Sequence, residues 1–321
     1  MFLYDKLHIM LTKQMQAINA RKQFAANFSV ISNSVLVILK LIVGLMSGAV
    51  SIIAEAIHSG IDLVAAVIAK YSVVKSAEPA DERHHFGHGK VESVSALIEG
   101  LLIFFAAYLI IHEAYEKFIH GVKIDIIGAG IGIMLLSTAA NYFISRYLFK
   151  VAKETKSDAL DADAWHLKTD VYTSLGVFAA LILIHFLKGR VPHVEYLDPL
   201  IAIVTAIWIS FAAFQITKDA ILNLVDTRIS EEEEAVVKTA ILENSDTFVD
   251  FHKLRSRRAG PYTYIDLHLV VSRDLRVDAA HKLTHHIEED IKKFLRNTDI
   301  MFHLEPCNSK CKCCRMKCTK R

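Results

Sequence analysis

The body of this chain has no cysteine. All five cysteines, from Cys307 to Cys318, fall in the last fifteen residues. A disulfide framework is therefore excluded from residues 1–306, which fits a reducing compartment for the tail or simply no disulfide role. Excess charge of one sign is missing as well. Lys and Arg number 37 against 35 Asp and Glu, a net charge of +2, so no electrostatic footprint for nucleic acid exists. A cleavable leader is not expected, because MFLYDKLHIMLTKQMQ is amphipathic and charged, without a small-residue cleavage site behind an apolar core. The tail, C-x3-C-x-C-C-x3-C from Cys307, lacks the paired C-x2-C units of a zinc ribbon. Its thiols lie among Lys310, Lys312, Arg315 and Lys317, which favour thiolate. It reads as a basic tail suited to soft metals or anionic lipid.

What is present is apolar. Hydrophobic residues make up 53% of the chain, and the mean hydropathy is +0.32. They are gathered into six blocks, 27–48, 50–74, 92–118, 124–149, 164–187 and 197–224. Each reaches the roughly 20 residues that cross a bilayer. Ser47-Gly48 reads as a tight hairpin between the first two. Arg21, Lys22, Lys75, Arg83, Lys90, Arg146, Lys150, Lys153 and Lys156 fall on one side; Lys117, Lys123, Lys188 and Arg190 fall on the other. The bias places both termini in the cytoplasm.

Two copies of one pattern interrupt the apolar blocks, His58-x-x-x-Asp62 and His166-x-x-x-Asp170. Residues four apart share a helix face, so each pair aims an imidazole and a carboxylate at one spot. Such groups at bilayer depth face each other, a cavity or an ion. Two nitrogens and two carboxylate oxygens suit a tetrahedral Zn²⁺. A single His-x-x-x-Asp would also suit an enzyme's histidine base oriented by a carboxylate, but the second copy would then be idle. The chain is not expected to be an enzyme. A buffer or sensor without flux would not need a quartet at bilayer depth.

Between the second and third blocks, Asp81, His84, His85 and His88 crowd into eight residues, with Gly87 and Gly89 to turn the loop. Within the third block, Glu99 is an intramembrane carboxyl that reads as a further proton or ion group or as a partner of Asn141. After Asp226 the composition changes. Ser230 followed by Glu231–Glu234 is a capping box that opens a helix reaching about Glu243. FVDFHKLRSRRAG reads as a strand ending at a Gly260-Pro261 turn, Tyr262–Val271 as a half-buried strand, Val277–Phe294 as an amphipathic helix and Thr298–Leu304 as a last strand.

These features together resemble the cation diffusion facilitators, a family of dimeric, proton-coupled exporters of divalent metals. The resemblance covers residues 20–306. It rests on the quartet, the PADERHHFGHGK loop, Asp198-Pro199 at the head of the sixth block and the α+β region that follows. The implied fold is a six-helix transmembrane bundle followed by a small cytoplasmic α+β domain of ferredoxin or metallochaperone type. The expected division is a cytoplasmic N-terminal segment, 1–26; a transmembrane domain, 27–225; a metal-binding dimerisation domain, 226–306; and the tail, 307–321.

The resemblance implies Zn²⁺ as the transported ion, with a second structural or regulatory role. It implies exchange for protons, a homodimer and residence in the lipid bilayer of the cell (inner) membrane. It points to Asp81, His84 and His88 as ligands in the loop, and to a two-zinc cluster at the dimer interface containing His252, His268 and His303 with His281 nearby. Glu305 stands where relatives carry Asp. A Lys90–Asp226 salt bridge is implied at the membrane surface.

Overall fold

The computed structural model describes residues 2–47, 50–120, 128–187, 194–295 and 297–307. The hairpin glycine Gly48, the outer-side cations Lys123, Lys188 and Arg190, and the tail beyond Cys307 lie outside the described residues. The chain divides into two compact units, Met1–Ile221 and Leu222–Arg321.

The first unit holds six long helices: α1 Phe2–Ser47, α2 Val50–Ser76, α3 Lys90–His120, α4 Gly128–Thr155, α5 Asp158–Leu187 and α6 Leu197–Leu224. Helix α1 does not begin near residue 27. It runs back to Phe2, because neither proline nor glycine interrupts residues 2–43 and the polar amphipathic stretch continues the apolar one. Helix α5 likewise starts six residues before its apolar block. Helix α4 stops at Lys156, which takes a left-handed φ of 53°, while Ser157 N–H reaches back to Ala152 O at 3.1 Å. That is a helix-ending turn closed by a six-to-one hydrogen bond, and it lets α5 begin two residues later.

Apolar side chains such as Phe105, Phe143 and Phe211 remain exposed on the outside of this unit, as the lipid-facing surface of a membrane protein requires. Among the described residues, four helices are long and apolar enough to cross a membrane: Met15–Met46, Ala56–Ser76, Lys90–Ile119 and Leu197–Leu224. Helices α4 and α5 are not among them. Helix α5 carries Asp158, Asp161, Asp163, Lys168 and Asp170 within its first half. A count of six spans is therefore an inference from the function those charges serve.

Small residues bring the helices together. A methyl group added to Gly100 of α3 would stand 3.2 Å from the Thr217 backbone nitrogen of α6, so this close crossing needs glycine. Near the start of α3, Lys22 of α1 is buried in an ion pair with Glu92. Lys22 was counted above as an orientation charge, yet its charge is neutralised inside the bundle. Glu92 also accepts from Ser76 Oγ at 2.5 Å and from Ser157 Oγ. One carboxylate thus ties α1, α2, α3 and the α4–α5 joint.

The second unit follows the order α7 Glu231–Glu243, β1 Asp250–Ala259, β2 Tyr262–Val271, α8 Val277–Phe294 and β3 Thr298–Pro306. The capping box at Ser230 is formed on both sides, side chain to Glu233 N–H and Glu233 side chain to the Ser230 N–H. Strand order is β1-β2-β3, with β1 antiparallel and β3 parallel to β2. The parallel pairing needs a crossover, and α8 supplies it. Its Ile287 and Ile291 pack with Leu267 and Leu269 of β2 and Val237 and Ile241 of α7. Alternation along β2 sends those leucines to the core and His268 to the open face of the sheet.

Candidate metal centres

The first centre lies inside the helical unit. Asp62 of α2 and His166 and Asp170 of α5 each offer a ligand atom, and these atoms lie within 4.8 Å of one another. His166 Nε2 and Asp62 Oδ1 are 3.1 Å apart, and both residues are buried. Asn141 Nδ2 approaches Asp170 Oδ2 at 3.5 Å, so Asn141 serves Asp170 and does not pair with Glu99. His166 Nδ1 has no hydrogen-bond partner among the described residues.

His58 sits one turn before Asp62 on α2, but its side chain is exposed and stands outside the cluster. The structure thus gathers three of the four expected ligands. Helical spacing fixes which face His58 leaves from, whereas its side-chain torsions decide where the ring ends. His58 remains within electrostatic range of Asp62. So does Lys40 of α1, which sequence reasoning passed over. Lys40 is buried, and its Nζ donates to Ser59 Oγ at 2.7 Å. The available signal was a lone lysine inside an apolar block.

The second centre is the loop after α2. Asp81, His84 and His88 come together within the same 4.8 Å limit, and His85 is exposed outside the group. Asp81 Oδ1 accepts from the backbone N–H of His84 at 2.6 Å and of Arg83 at 2.8 Å. Those backbone bonds, His84 first, hold its carboxyl below the usual range, with the His84 ring adding to the effect. Gly87, at φ 74°, supplies the left-handed turn that folds the loop back. His88 alone is buried here, its ring 4.4 Å from that of His84.

The third centre lies on the open face of the sheet. Register places His252 opposite His268 and His268 opposite His303, so one row of imidazoles crosses three strands. His252, His268 and Glu305 form the close group. Glu305 Oε1 accepts from His268 Nδ1 at 2.6 Å, and Oε2 is 3.4 Å from His252 Nε2. The His268 hydrogen bond, with support from His252, keeps the Glu305 carboxyl below its usual range. The His303 ring lies tilted against that of His268 at 4.5 Å, and His303 is 3.9 Å from Glu305, at the edge of the group. The longer arm of Glu305 reaches both inner histidines, so Glu in place of Asp does not leave the carboxylate short.

His281 is not in this cluster. Its ring meets that of His285, also on α8, edge to face at 4.5 Å. Asp226 pairs with Arg257 at 3.2 Å within the second unit. The donor sets of all three centres are imidazole and carboxylate, which bind Zn²⁺ and its first-row neighbours and leave thiol-loving ions unserved.

Residues 27–225 match the cation efflux transmembrane domain, and residues 229–307 match the cation efflux protein cytoplasmic domain. An uncharacterized transporter of Synechocystis is 33% identical over 261 residues, 81% of this chain and 83% of that protein. The cation-efflux pump FieF of Pectobacterium atrosepticum is 29% identical over 272 residues, 85% of this chain and 88% of the pump. A solved structure of CzrB, described as a candidate zinc transporter, is 28% identical, with 25% of this chain and 99% of that one covered at a TM-score of 0.24.

Proposed function

The chain belongs to the cation efflux family, the cation diffusion facilitators, and from that membership we propose that this integral membrane transporter exports Zn²⁺ in exchange for protons by alternating access. The observation that carries the exchange is the 3.1 Å contact between His166 Nε2 and Asp62 Oδ1. With the carboxylate ionised, a hydrogen bond there needs a proton on the imidazole nitrogen. A metal needs the same nitrogen's lone pair and the same carboxylate. Proton and metal therefore compete for one pair of atoms, and each displaces the other. An imidazole takes up and gives up protons more readily near neutral pH than other side chains, which suits His166 to carry that proton.

Asp62, His166 and Asp170 are the core ligands in this reading, and His58 completes a tetrahedral set by turning inward from α2. The charges of α5 are then the reason it falls short of a simple apolar span, and the bundle crosses six times with both termini in the cytoplasm of a cell-membrane protein. Asp81, His84 and His88 receive or relay the ion. His252, His268, His303 and Glu305 hold resident zinc that tightens a homodimer of the second unit, with His281 contributed nearby and Lys90–Asp226 bracing the membrane surface. Such zinc biases transport only by binding one conformation better than another.

Proton release on metal binding tests the exchange. Purified protein in weak buffer should release about one proton more per core Zn²⁺ than His166→Ala does. Equal release from both would overturn the assignment of His166.

A further inference from the structure

Two carboxylates on α3 stand two turns apart and differ completely in their surroundings. Glu92 has Lys22, Ser76 and Ser157 as partners. Glu99 is 0% exposed, and neither of its oxygens has a hydrogen-bond partner among the described residues. Asp163 of α5 is also buried, and its Oδ2 is equally without a partner among them. Asp163, His166 and Asp161 all act electrostatically on Glu99, and Ser29 of α1 faces Asp163. Asn33, one turn further along the same face of α1, is buried with an unpartnered Nδ2.

Depth follows from the helix rise. Ser93 Oγ donates to Asp158 Oδ2 at 2.7 Å, which levels the starts of α3 and α5. From that level Glu99 lies about 9 Å and Asp163 about 7.5 Å along their helices, at ~1.5 Å per residue. His166 lies roughly 4.5 Å beyond Asp163, and Asp170 roughly 10.5 Å beyond it. Asp163, His166 and Asp170 occupy positions i, i+3 and i+7 of α5, so they form one line on one face.

We infer that Glu99 and Asp163 form a further divalent-cation station, placed between the end of the bundle where α3 and α5 begin and the Asp62–His166–Asp170 centre. An ionised carboxylate buried without a partner is strongly unfavourable, and two in electrostatic range are more so. A divalent cation removes both penalties at once, and Ser29 Oγ, buried and without a partner among the described residues, supplies a further oxygen. The donors are all oxygen, so the station takes Zn²⁺, Mn²⁺ or Co²⁺ with little discrimination. Selection then falls to the imidazole of His166, to which the ion passes. The inference rests on the transport reading for the passage of the ion, and on burial alone for the binding.

Mn²⁺ reports oxygen ligation by its spin resonance, and the full chain in detergent is the sample. Glu99→Gln with Asp163→Asn should lower bound Mn²⁺ by one ion per chain, while His166→Ala keeps that ion. In vesicles the same pair should raise the half-saturating Zn²⁺ at least ~10-fold, and wild-type preference among metals should persist. Should the pair melt early, Glu99→Gln alone gives the same count, and Glu99→Asp restores it. An unchanged Mn²⁺ count in Glu99→Gln overturns the station. Slower flux with unchanged count and half-saturation would assign Glu99 to protons and overturn it too. If wild-type protein moves no zinc, the transport reading fails while the Mn²⁺ count still decides the station.

Discussion

The two units of this protein use the same pair of donors in opposite settings. In the helical unit, Asp62 and His166 are buried, and they come from helices packed on each other. In the second unit, His252, His268 and Glu305 are half exposed on the open face of a sheet. A buried carboxylate and imidazole cannot be screened by water, so their charge must be balanced by a proton, a metal or each other. On the sheet, solvent shares that task, and an ion can leave or stay without upsetting the fold. The difference teaches that the buried centre is suited to obligatory exchange and the exposed one to residence.

The sharpest way to break this contrast is Asp170→Ala. It removes an anion from the buried centre, so each Zn²⁺ that binds leaves about one positive charge uncompensated. Zinc flux into vesicles should fall by more than ~10-fold, while the melting temperature holds and zinc stoichiometry falls only in part. Flux above a tenth of wild type would remove Asp170 from the core.

His268→Ala probes the other side of the contrast. His268 is the hinge of the imidazole row and donates to Glu305. Bound zinc per chain should fall and dimerisation weaken, but flux at saturating zinc should fall by less than ~10-fold. A loss as deep as that of Asp170→Ala would erase the distinction between exchange and residence.

His58→Asp sharpens the buried centre alone. A carboxylate is a harder, less directional ligand than imidazole. Transport should persist, with a reduced preference for zinc over cadmium in initial rates. An unchanged ratio would show that His58, exposed in this structure, does not join the ligand set during transport.

The smallest effect is structural. Ser230→Ala removes a formed capping box and should destabilise the second unit by about 1 kcal/mol. Calorimetry of the intact protein should show its melting shift with zinc flux unchanged.

The elements legible in the sequence are those whose signals are local. Alternation set β2 at Tyr262–Val271 and amphipathicity set α8 at Val277–Phe294, bounds the structure shares. The serine cap marked the start of α7 for the same reason. The strand β3 runs two residues further, to Pro306, because pairing with Val271 extends it, and pairing is not local. The start of α1 was hidden because polar residues 2–26 read as a separate segment, although nothing in them breaks a helix. The site was legible as far as helical spacing reaches. It located Asp62, His166 and Asp170 but not the outward ring of His58. It also missed Lys40 and the burial of Lys22, since burial of a lysine depends on a partner elsewhere in the chain, Ser59 for one and Glu92 for the other.

The most direct measurement is coupled flux. Vesicles holding the purified transporter, with a pH dye inside and a zinc dye beside it, should take up Zn²⁺ only as protons leave. An imposed proton gradient should drive uptake, its collapse should stop net accumulation, and Asp170→Ala should abolish both signals together. Accumulation of zinc at the same rate without a gradient and without proton movement would contradict exchange at His166 and Asp62.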